Sequence, residues 1–360
     1  MNYKLNSREL TSVLINLLTV KMLFTYPRYL VERMENGAWI SVAVWGIVAL
    51  GIFWLTQYVY LKTERTTILM QAEMLGGKLL KAVTGTLVIV LLMFNIAPMV
   101  RAFPEAIKTA LLQNTSMLII ITVLATGVAI GARYGIEPLA RVAAIFLPIA
   151  CAFVIFFFIT LIPYYKITNL FPISAIKVTV GGTSALSVFA DIFVLNLLLP
   201  YAKDMNTVKK SGFAALIISG IAGILIVLAY CLTYLYPLTA RFIVPMYQLA
   251  RNLRIGTYFQ RLESIFEFIW SISIFIYTSI YVFVMCDVFR QSFNLKHYRP
   301  LVFPILMILL RLVFWESGYI EAQRSNFVNS GFFYPIFYIL PLLFGLLTLV
   351  KMRRRKGREC

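Results

Sequence analysis

The stretch GGTSALSVFADIFVLNLLLP, residues 181–200, decides the fold of this chain. It is long and apolar enough for a membrane span, yet it opens on two glycines and carries Asp191 near its centre. A carboxylate at membrane depth is costly unless it finds a partner or water. Short, glycine-flanked spans with an acidic residue are typical of the discontinuous helices of transporters. The stretch therefore predicts a transporter-like membrane protein whose sixth helix is interrupted.

The composition of the whole chain agrees with this interpretation. Of its 360 residues, 61% are hydrophobic and 13% are charged, and the mean hydropathy is +0.84. Soluble domains carry about a quarter charged residues. These values exclude a disordered chain, a disulfide-rich secreted module and an ordinary cytosolic enzyme. They predict an all-α polytopic membrane protein.

A membrane core about 30 Å thick needs about 20 helical residues, and ten runs of the sequence meet that requirement. The first run is treated as a retained helix, because no signal-peptide cleavage pattern follows it. A further stretch, 247–260, has the pattern of a short amphipathic helix on the membrane surface. The ten predicted spans are approximately 10–30, 39–60, 82–103, 115–132, 141–162, 183–200, 213–237, 265–288, 301–316 and 332–350.

The charge distribution predicts the orientation of the chain. Lys and Arg number 33 against 15 Asp and Glu, a formal net charge of +18. Twenty of the basic residues lie in the N-terminal segment, the alternate connections and the C-terminal tail, whereas 11 lie on the opposite side. Since basic residues mark the cytoplasmic side, both termini are predicted to be cytoplasmic. The basic tail 351–360 can also touch anionic lipid, and no nucleic-acid partner is predicted.

Two charged residues fall near the middle of apolar runs. Lys21 lies in the first run and Asp191 in the sixth. Each is costly at membrane depth, and the two would offset one another if they met. The alternatives are that Lys21 extends toward an interface and that Asp191 caps a neighbouring broken helix.

Other polar residues at membrane depth are candidate ligand contacts. Ser184, Ser187 and Asp191 follow one another at i, i+3 and i+7, which on an α-helix makes one polar stripe. In the third run, Asn95 precedes Pro98, which cannot donate a hydrogen bond and so predicts an irregularity or a simple kink.

The eighth run carries a stripe of aromatic and hydroxyl side chains. Trp270, Ser273, Tyr277 and Tyr281 recur at helical spacing, with Thr278 beside them. Such a stripe serves helix packing or forms the wall of a ligand site.

No pattern of a catalytic or metal site is present in the sequence. It contains no GxSxG, P-loop, HExxH or CxxC motif, and its single histidine is His297, in a basic loop. The sequence therefore predicts a protein that is not an enzyme and that needs no cofactor and no metal.

Several stretches resemble the endospore germination permease family, the B subunits of nutrient germinant receptors. The most specific is LARNLRIGTYFQRLE at 249–263, followed by Trp270. Supporting matches are LNSREL at 5–10, NGAWIS at 36–41, YGIEPLAR at 134–141 and NLFP at 169–172. The resemblance covers essentially the whole chain, in order.

The resemblance implies an amino acid–polyamine–organocation (LeuT-like) fold in one domain, 1–360. Two inverted five-helix repeats, at about 10–162 and 183–350, would surround a midplane site, with helices one and six discontinuous. The subunit would bind an amino-acid-type nutrient and trigger spore germination together with an A-type subunit and a lipoprotein C-type subunit. Its place would be the inner spore membrane.

This chain departs from the family in the first helix. Small residues, often glycine, usually stand in the broken part, whereas here the segment 18–23 reads LTVKML. That departure questions a standard unwound loop. One interpretation is that Lys21 supplies a fixed positive charge where a coupled transporter binds a cation. The candidate ligand-binding residues are Thr19, Lys21, Asn95, Ser184, Ser187, Asp191, Ser273, Tyr277 and Thr278.

Two other functions remain open on the sequence. The chain could be a secondary transporter of amino acids or related small amines, or a structural membrane subunit with a degenerate pocket.

Overall fold

The computed structural model describes residues 4–24, 26–63, 66–180, 183–242, 244–252, 262–315 and 319–359. Within these ranges the chain is helical, with short 3-10 segments and one isolated bridge between Leu5 and Ala202. The α-helices are α1 (Ser7–Thr19), α2 (Tyr26–Met34), α3 (Ala38–Lys62), α4 (Ile68–Ala110), α5 (Met117–Tyr134), α6 (Ile136–Leu161), α7 (Ala175–Val180), α8 (Thr183–Leu186), α9 (Val194–Leu198), α10 (Met205–Thr233), α11 (Pro245–Asn252), α12 (Leu262–Ser292), α13 (Val302–Val313) and α14 (Tyr319–Glu359).

Eight helical segments in the described part of the chain are long and apolar enough to cross a membrane. They coincide with the predicted spans two to eight and ten. The first predicted span is formed by α1, a turn and α2, and the ninth by the 12-residue helix α13. The prediction of a helical, multi-pass membrane protein is confirmed. The proposed division into two repeats stays a prediction.

The first helix is interrupted, although no glycine stands there. α1 ends at Thr19, residues 20–24 form turns, and α2 begins at Tyr26. Pro27 supplies a reason, because its ring nitrogen has no hydrogen to donate to the carbonyl of Leu23 and its ring crowds that carbonyl. Pro27 therefore favours the start of a new helix at Tyr26, because a proline is tolerated in the first turn, and Lys21 lies in the turn before it.

The sixth helix is interrupted as well. α7 and α8 are followed by a 3-10 helix, Ser187–Phe193, which leads into α9. Seven residues is long for a 3-10 helix, whose hydrogen bonds are poorer than those of an α-helix. The predicted α-helical stripe is wrong in this respect: at three residues per turn, Asp191 is rotated about 120° from Ser187. Asp191 can therefore face a different neighbour.

Of the two possibilities at Pro98, an irregular backbone is not observed, and a simple kink stays a prediction. α4 stays helical through Asn95 and Pro98, and its backbone angles leave the helical region at Gly76 and Gly77 instead. Of the predicted surface helix 247–260, residues 247–252 are helical and belong to α11, and residues 253–261 lie outside the described ranges. Its position on the membrane surface stays a prediction.

The long helices enclose the two interrupted segments. α12 packs chiefly against α4, and α1 packs against α10 and α6. α14 covers α4, α3 and the 3-10 helix. Fully buried aromatic side chains fill the space between these elements, among them Trp270, Tyr277 and Tyr281 of α12 and Phe189 and Phe193 of the 3-10 helix. The buried core of the protein therefore surrounds Lys21 and Asp191.

Candidate ligand-binding site

Lys21 and Asp191 meet at the breaks of the first and sixth helices. The Lys21 Nζ lies 3.0 Å from the Asp191 Oδ1, and their side chains are 3% and 0% exposed. Lys21 therefore does not extend to an interface. Its ammonium also lies 5.5 Å from the ring centre of Tyr334 on α14, within the range of a cation–π contact.

Asn95 of α4 and Tyr281 of α12 complete a hydrogen-bond network around this pair. Lys21 donates to the Asn95 Oδ1 at 2.8 Å, and the Asn95 Nδ2 donates to the Asp191 Oδ1 and to the Tyr281 hydroxyl, each at 2.7 Å. The Tyr281 hydroxyl in turn donates to the Asp191 Oδ1. Four elements distant in the sequence thus contribute one charged or polar group each.

The network leaves one carboxylate oxygen of Asp191 available. The Oδ1 accepts from Lys21, Asn95 and Tyr281, whereas the buried Oδ2 has no hydrogen-bond partner among the described residues. A buried ion pair is favourable only when further hydrogen bonds satisfy its remaining polar atoms. The Asp191 Oδ2 is therefore the buried oxygen of this network that can still accept a hydrogen bond from a ligand.

A second cluster of polar side chains connects the two interrupted helices next to α2. The Ser187 hydroxyl donates to the carbonyl of Ser184 at 2.5 Å and lies 3.2 Å from the hydroxyl of Tyr26. Arg33 Nη1 donates to the Ser184 hydroxyl at 2.6 Å. Both serines are buried, so the structure places these two predicted residues at the interface of α2 with helix six.

Aromatic rings form one wall of this interior. Trp270 stacks on Phe24 with ring centres 4.2 Å apart and planes 9° apart, and Phe103 of α4 lies 5.5 Å from the same indole. Tyr277 lies 4.8 Å from Tyr281. Trp270, Tyr277 and Tyr281 are fully buried, so the predicted stripe faces the protein interior. Phe24 lies in the turn of the first helix, where its amide donates to the carbonyl of Lys21 at 3.2 Å.

Three further predicted residues, Thr19, Ser273 and Thr278, also lie outside the charged network. The hydroxyls of Thr19 and Ser273 donate to carbonyls one turn earlier in their own helices, at 2.7 and 3.1 Å. The Thr278 hydroxyl is buried and has no hydrogen-bond partner among the described residues.

The structure adds residues that the sequence did not single out as site candidates. Tyr281 was part of the aromatic stripe, but only the fold shows that its hydroxyl reaches Asp191. Tyr334 lies in the last span and carried no signal. Glu267 of α12 is fully buried, and neither of its carboxylate oxygens has a hydrogen-bond partner in the described part of the chain.

The segments that flank the two interrupted helices contact each other at both ends of those helices. At one end, the Leu5 amide donates to the carbonyl of Tyr201 at 2.8 Å, and the Lys203 amide donates to the carbonyl of Leu5 at 3.2 Å. At the other end, Lys177 pairs with Glu35 at 2.5 Å, and this hydrogen bond raises the pKa of Lys177.

Two interrupted helices that carry a buried polar site define a permease-type membrane protein. Residues 4–318 match the family described as spore germination protein, and the chain belongs to this spore permease family. The predicted resemblance is confirmed.

Relatives and solved structures agree with this assignment. The chain is 25% identical over 335 residues to spore germination protein KB of Bacillus subtilis (strain 168), covering 90% of this chain and 89% of that protein. It is 23% identical over 365 residues to spore germination protein A2 of the same organism, covering 98% and 97%. Its fold is similar to that of a variant of the Eremococcus coleocola manganese transporter, with a TM-score of 0.53 and 12% identity, covering 95% of this chain and 84% of that one.

Proposed function

We propose that this permease is the B-type subunit of a spore germinant receptor and binds an amino-acid-type nutrient between the interrupted helices. The observation that carries the proposal is the buried ion pair of Lys21 and Asp191, held at the two helix breaks. A positive and a negative group side by side match the two charges of a zwitterion.

Binding would exchange one internal ion pair for two ion pairs with the ligand. The ligand's ammonium would pair with Asp191, whose Oδ2 has no partner among the described residues, and its carboxylate would pair with Lys21 or with free helix-end N–H groups. A ligand with only one charge would leave the other protein charge buried and unpaired, at a cost of about 3–5 kcal/mol. The site should therefore prefer a zwitterion over the matching amine or acid by more than about 100-fold.

The aromatic wall would set side-chain selectivity, and the helix breaks would carry the signal. Trp270 stacks on Phe24, so a ligand side chain that displaces or extends this stack also acts on the turn of the first helix. Binding would favour one packing of the two predicted repeats, and the A-type and lipoprotein C-type subunits would respond to that shift. We place the protein in the inner spore membrane, with both termini cytoplasmic, as the basic residues indicate.

Lys21 favours a receptor over an ion-coupled transporter. Its ammonium already occupies the position beside Asp191 where a coupling cation would compensate the carboxylate. A fixed positive charge removes the need for a bound ion, which suits a subunit that senses a ligand without accumulating it.

The test is nutrient-induced germination of spores that carry Asp191→Asn or Lys21→Ala, with protein level measured by immunoblot. Lys177→Gln removes a positive charge from the surface and serves as the control. The proposal predicts loss of the nutrient response in both site variants at normal protein level and a normal response in the control. A normal response in both site variants would refute the site. Co-purification of the A-type and C-type subunits from spore membranes tests the partners.

A secondary transporter of amino acids or small amines is the second candidate, because the fold is shared with a transporter. Uptake of radiolabelled amino acids into proteoliposomes separates the two functions. Concentrative, gradient-dependent uptake would favour transport, whereas saturable binding without uptake would favour the receptor.

A further inference from the structure

A second site lies at the end of the protein where the N-terminal segment meets helix six. A cavity of about 360 Å³ opens there between the end of α5, the start of α6, Tyr201, α12 and the loop 296–299. Its volume lies within the range of about 300–1,000 Å³ that is typical of small-molecule sites. It is separate from the charged network and includes the first part of the sequence YGIEPLAR, which the proposed nutrient site does not use.

The side chains of this cavity carry an excess of positive charge. Glu137 is held by Arg141 at 2.6 Å, and Arg290 is held by Asp287 at 2.7 Å, so these four charges offset one another. The remaining cations that line the cavity are on the loop 296–299: Lys296 and Arg299 are exposed, and neither forms an ion pair with the residues that the structure describes. The cavity therefore attracts an anion.

The backbone at the start of α6 also favours an anion in this cavity. α6 begins at Ile136, and its preceding residue Gly135 provides no side-chain cap. The first amides of a helix have no intrahelical acceptor, which leaves those of Ile136 and Glu137, since Pro138 has no amide hydrogen. Gly135 has φ +95°, a conformation that side-chain-bearing residues rarely adopt. A Cβ there would lie 2.9 Å from the hydroxyl of Tyr298, which itself bonds the carbonyl of Arg133. Glycine thus keeps the helix start open to the cavity.

We propose that this cavity binds a phosphate-bearing anion, held by Lys296, Arg299 and the start of α6. Positive pockets between membrane helices on the cytoplasmic side bind the headgroups of anionic lipids, and helix starts bind phosphate. The phosphate belongs to a lipid headgroup or to a free phosphate ion, two sources with the same chemistry.

The test uses the purified full-length protein in a neutral detergent and measures binding by calorimetry. The probes are dioctanoyl phosphatidylglycerol, inorganic phosphate and, as the neutral lipid, dioctanoyl phosphatidylcholine. The double variant Lys296→Gln with Arg299→Gln should bind the anionic probe about 10-fold or more weakly, since each basic residue near an anionic headgroup contributes about 1 kcal/mol. The control Lys209→Gln with Lys210→Gln removes the same charge from α10, outside the cavity, and should leave the affinity unchanged.

The outcomes are distinct. Saturable binding of phosphatidylglycerol without binding of phosphate assigns the cavity to a lipid headgroup, and comparable binding of phosphate assigns it to the free ion. Equal affinity for phosphatidylcholine, no binding of any probe, or equal weakening by both double variants would overturn the proposal.

Discussion

Replacing Lys21 by methionine tests whether the buried ion pair holds the two helix breaks together. Lys21→Met keeps a long, flexible side chain but leaves the carboxylate of Asp191 buried without its cation. Removing one partner of a buried pair costs about 3–5 kcal/mol. An unfolding entropy of about 2.1 cal/mol/K per residue over 360 residues gives roughly 0.75 kcal/mol/K, so the melting temperature should fall by about 4–7 °C.

The second step is to remove the partner too. In Lys21→Met with Asp191→Asn, no charge remains buried, and Asn95 and Tyr281 can still bond the new amide. The double variant should therefore recover at least half of the lost melting temperature. The assay is tryptophan-fluorescence unfolding of the purified protein in detergent.

A surface pair provides the matched control for this cycle. Lys177 is 48% exposed and pairs with Glu35, so Lys177→Met should shift the melting temperature by less than about 1 °C. The reasoning is refuted if Lys21→Met melts within about 1 °C of the wild type, or if the losses of the two single site variants simply add in the double variant.

Three further predictions concern single side chains. Tyr281→Phe removes a hydroxyl that donates to the buried carboxylate of Asp191, a hydrogen bond worth about 1.5–3 kcal/mol. The melting temperature should therefore fall by about 2–4 °C. The control Tyr58→Phe, at an exposed tyrosine, should change it by less than about 1 °C. Gly135→Ala should weaken binding of the anionic probe at the cavity about 10-fold. The control Gly51→Ala, where a Cβ meets nothing within 4 Å, should leave the affinity unchanged. Equal affinities in the two variants would contradict the role of Gly135. Trp270→Ala should destabilise the protein by about 3–5 kcal/mol, because it empties a fully buried site. Trp270→Phe keeps a ring stacked on Phe24, so it should retain most of the stability and shift the nutrient preference in a germination assay. An unchanged preference would show that Trp270 does not set the side-chain selectivity.

Much of the fold was predictable because membrane spans are encoded in contiguous sequence. Eight of the ten predicted spans correspond to helices long enough to cross the bilayer, since each needs only a local apolar run. The break in the sixth helix was also signalled locally, by its glycines and by Asp191. The break in the first helix was harder to foresee, because the segment 18–23 has no glycine and Pro27, the residue that opposes a continuous helix, follows it.

The local backbone around the site could not be predicted as well. The expected stripe of Ser184, Ser187 and Asp191 assumed an α-helix, but a 3-10 helix begins at Ser187 and turns Asp191 away from the serines. At Pro98 the backbone angles stay helical, although the sequence allowed an irregular segment there. In both cases, packing against neighbouring helices decides the backbone, and a single-sequence pattern contains no information on those neighbours.

The sequence by itself determined that this protein spans a membrane, that its sixth helix is interrupted, and that Lys21 and Asp191 needed compensation. These conclusions follow from the cost of placing charge and irregular backbone in an apolar medium, which depends on local composition alone. Only the tertiary structure decided that the two charges compensate each other, that Asn95 and Tyr281 complete their network, and that Asp191 Oδ2 is left without a partner among the described residues. Those contacts join residues 74 to 186 positions apart, and their distances are fixed by how the helices pack.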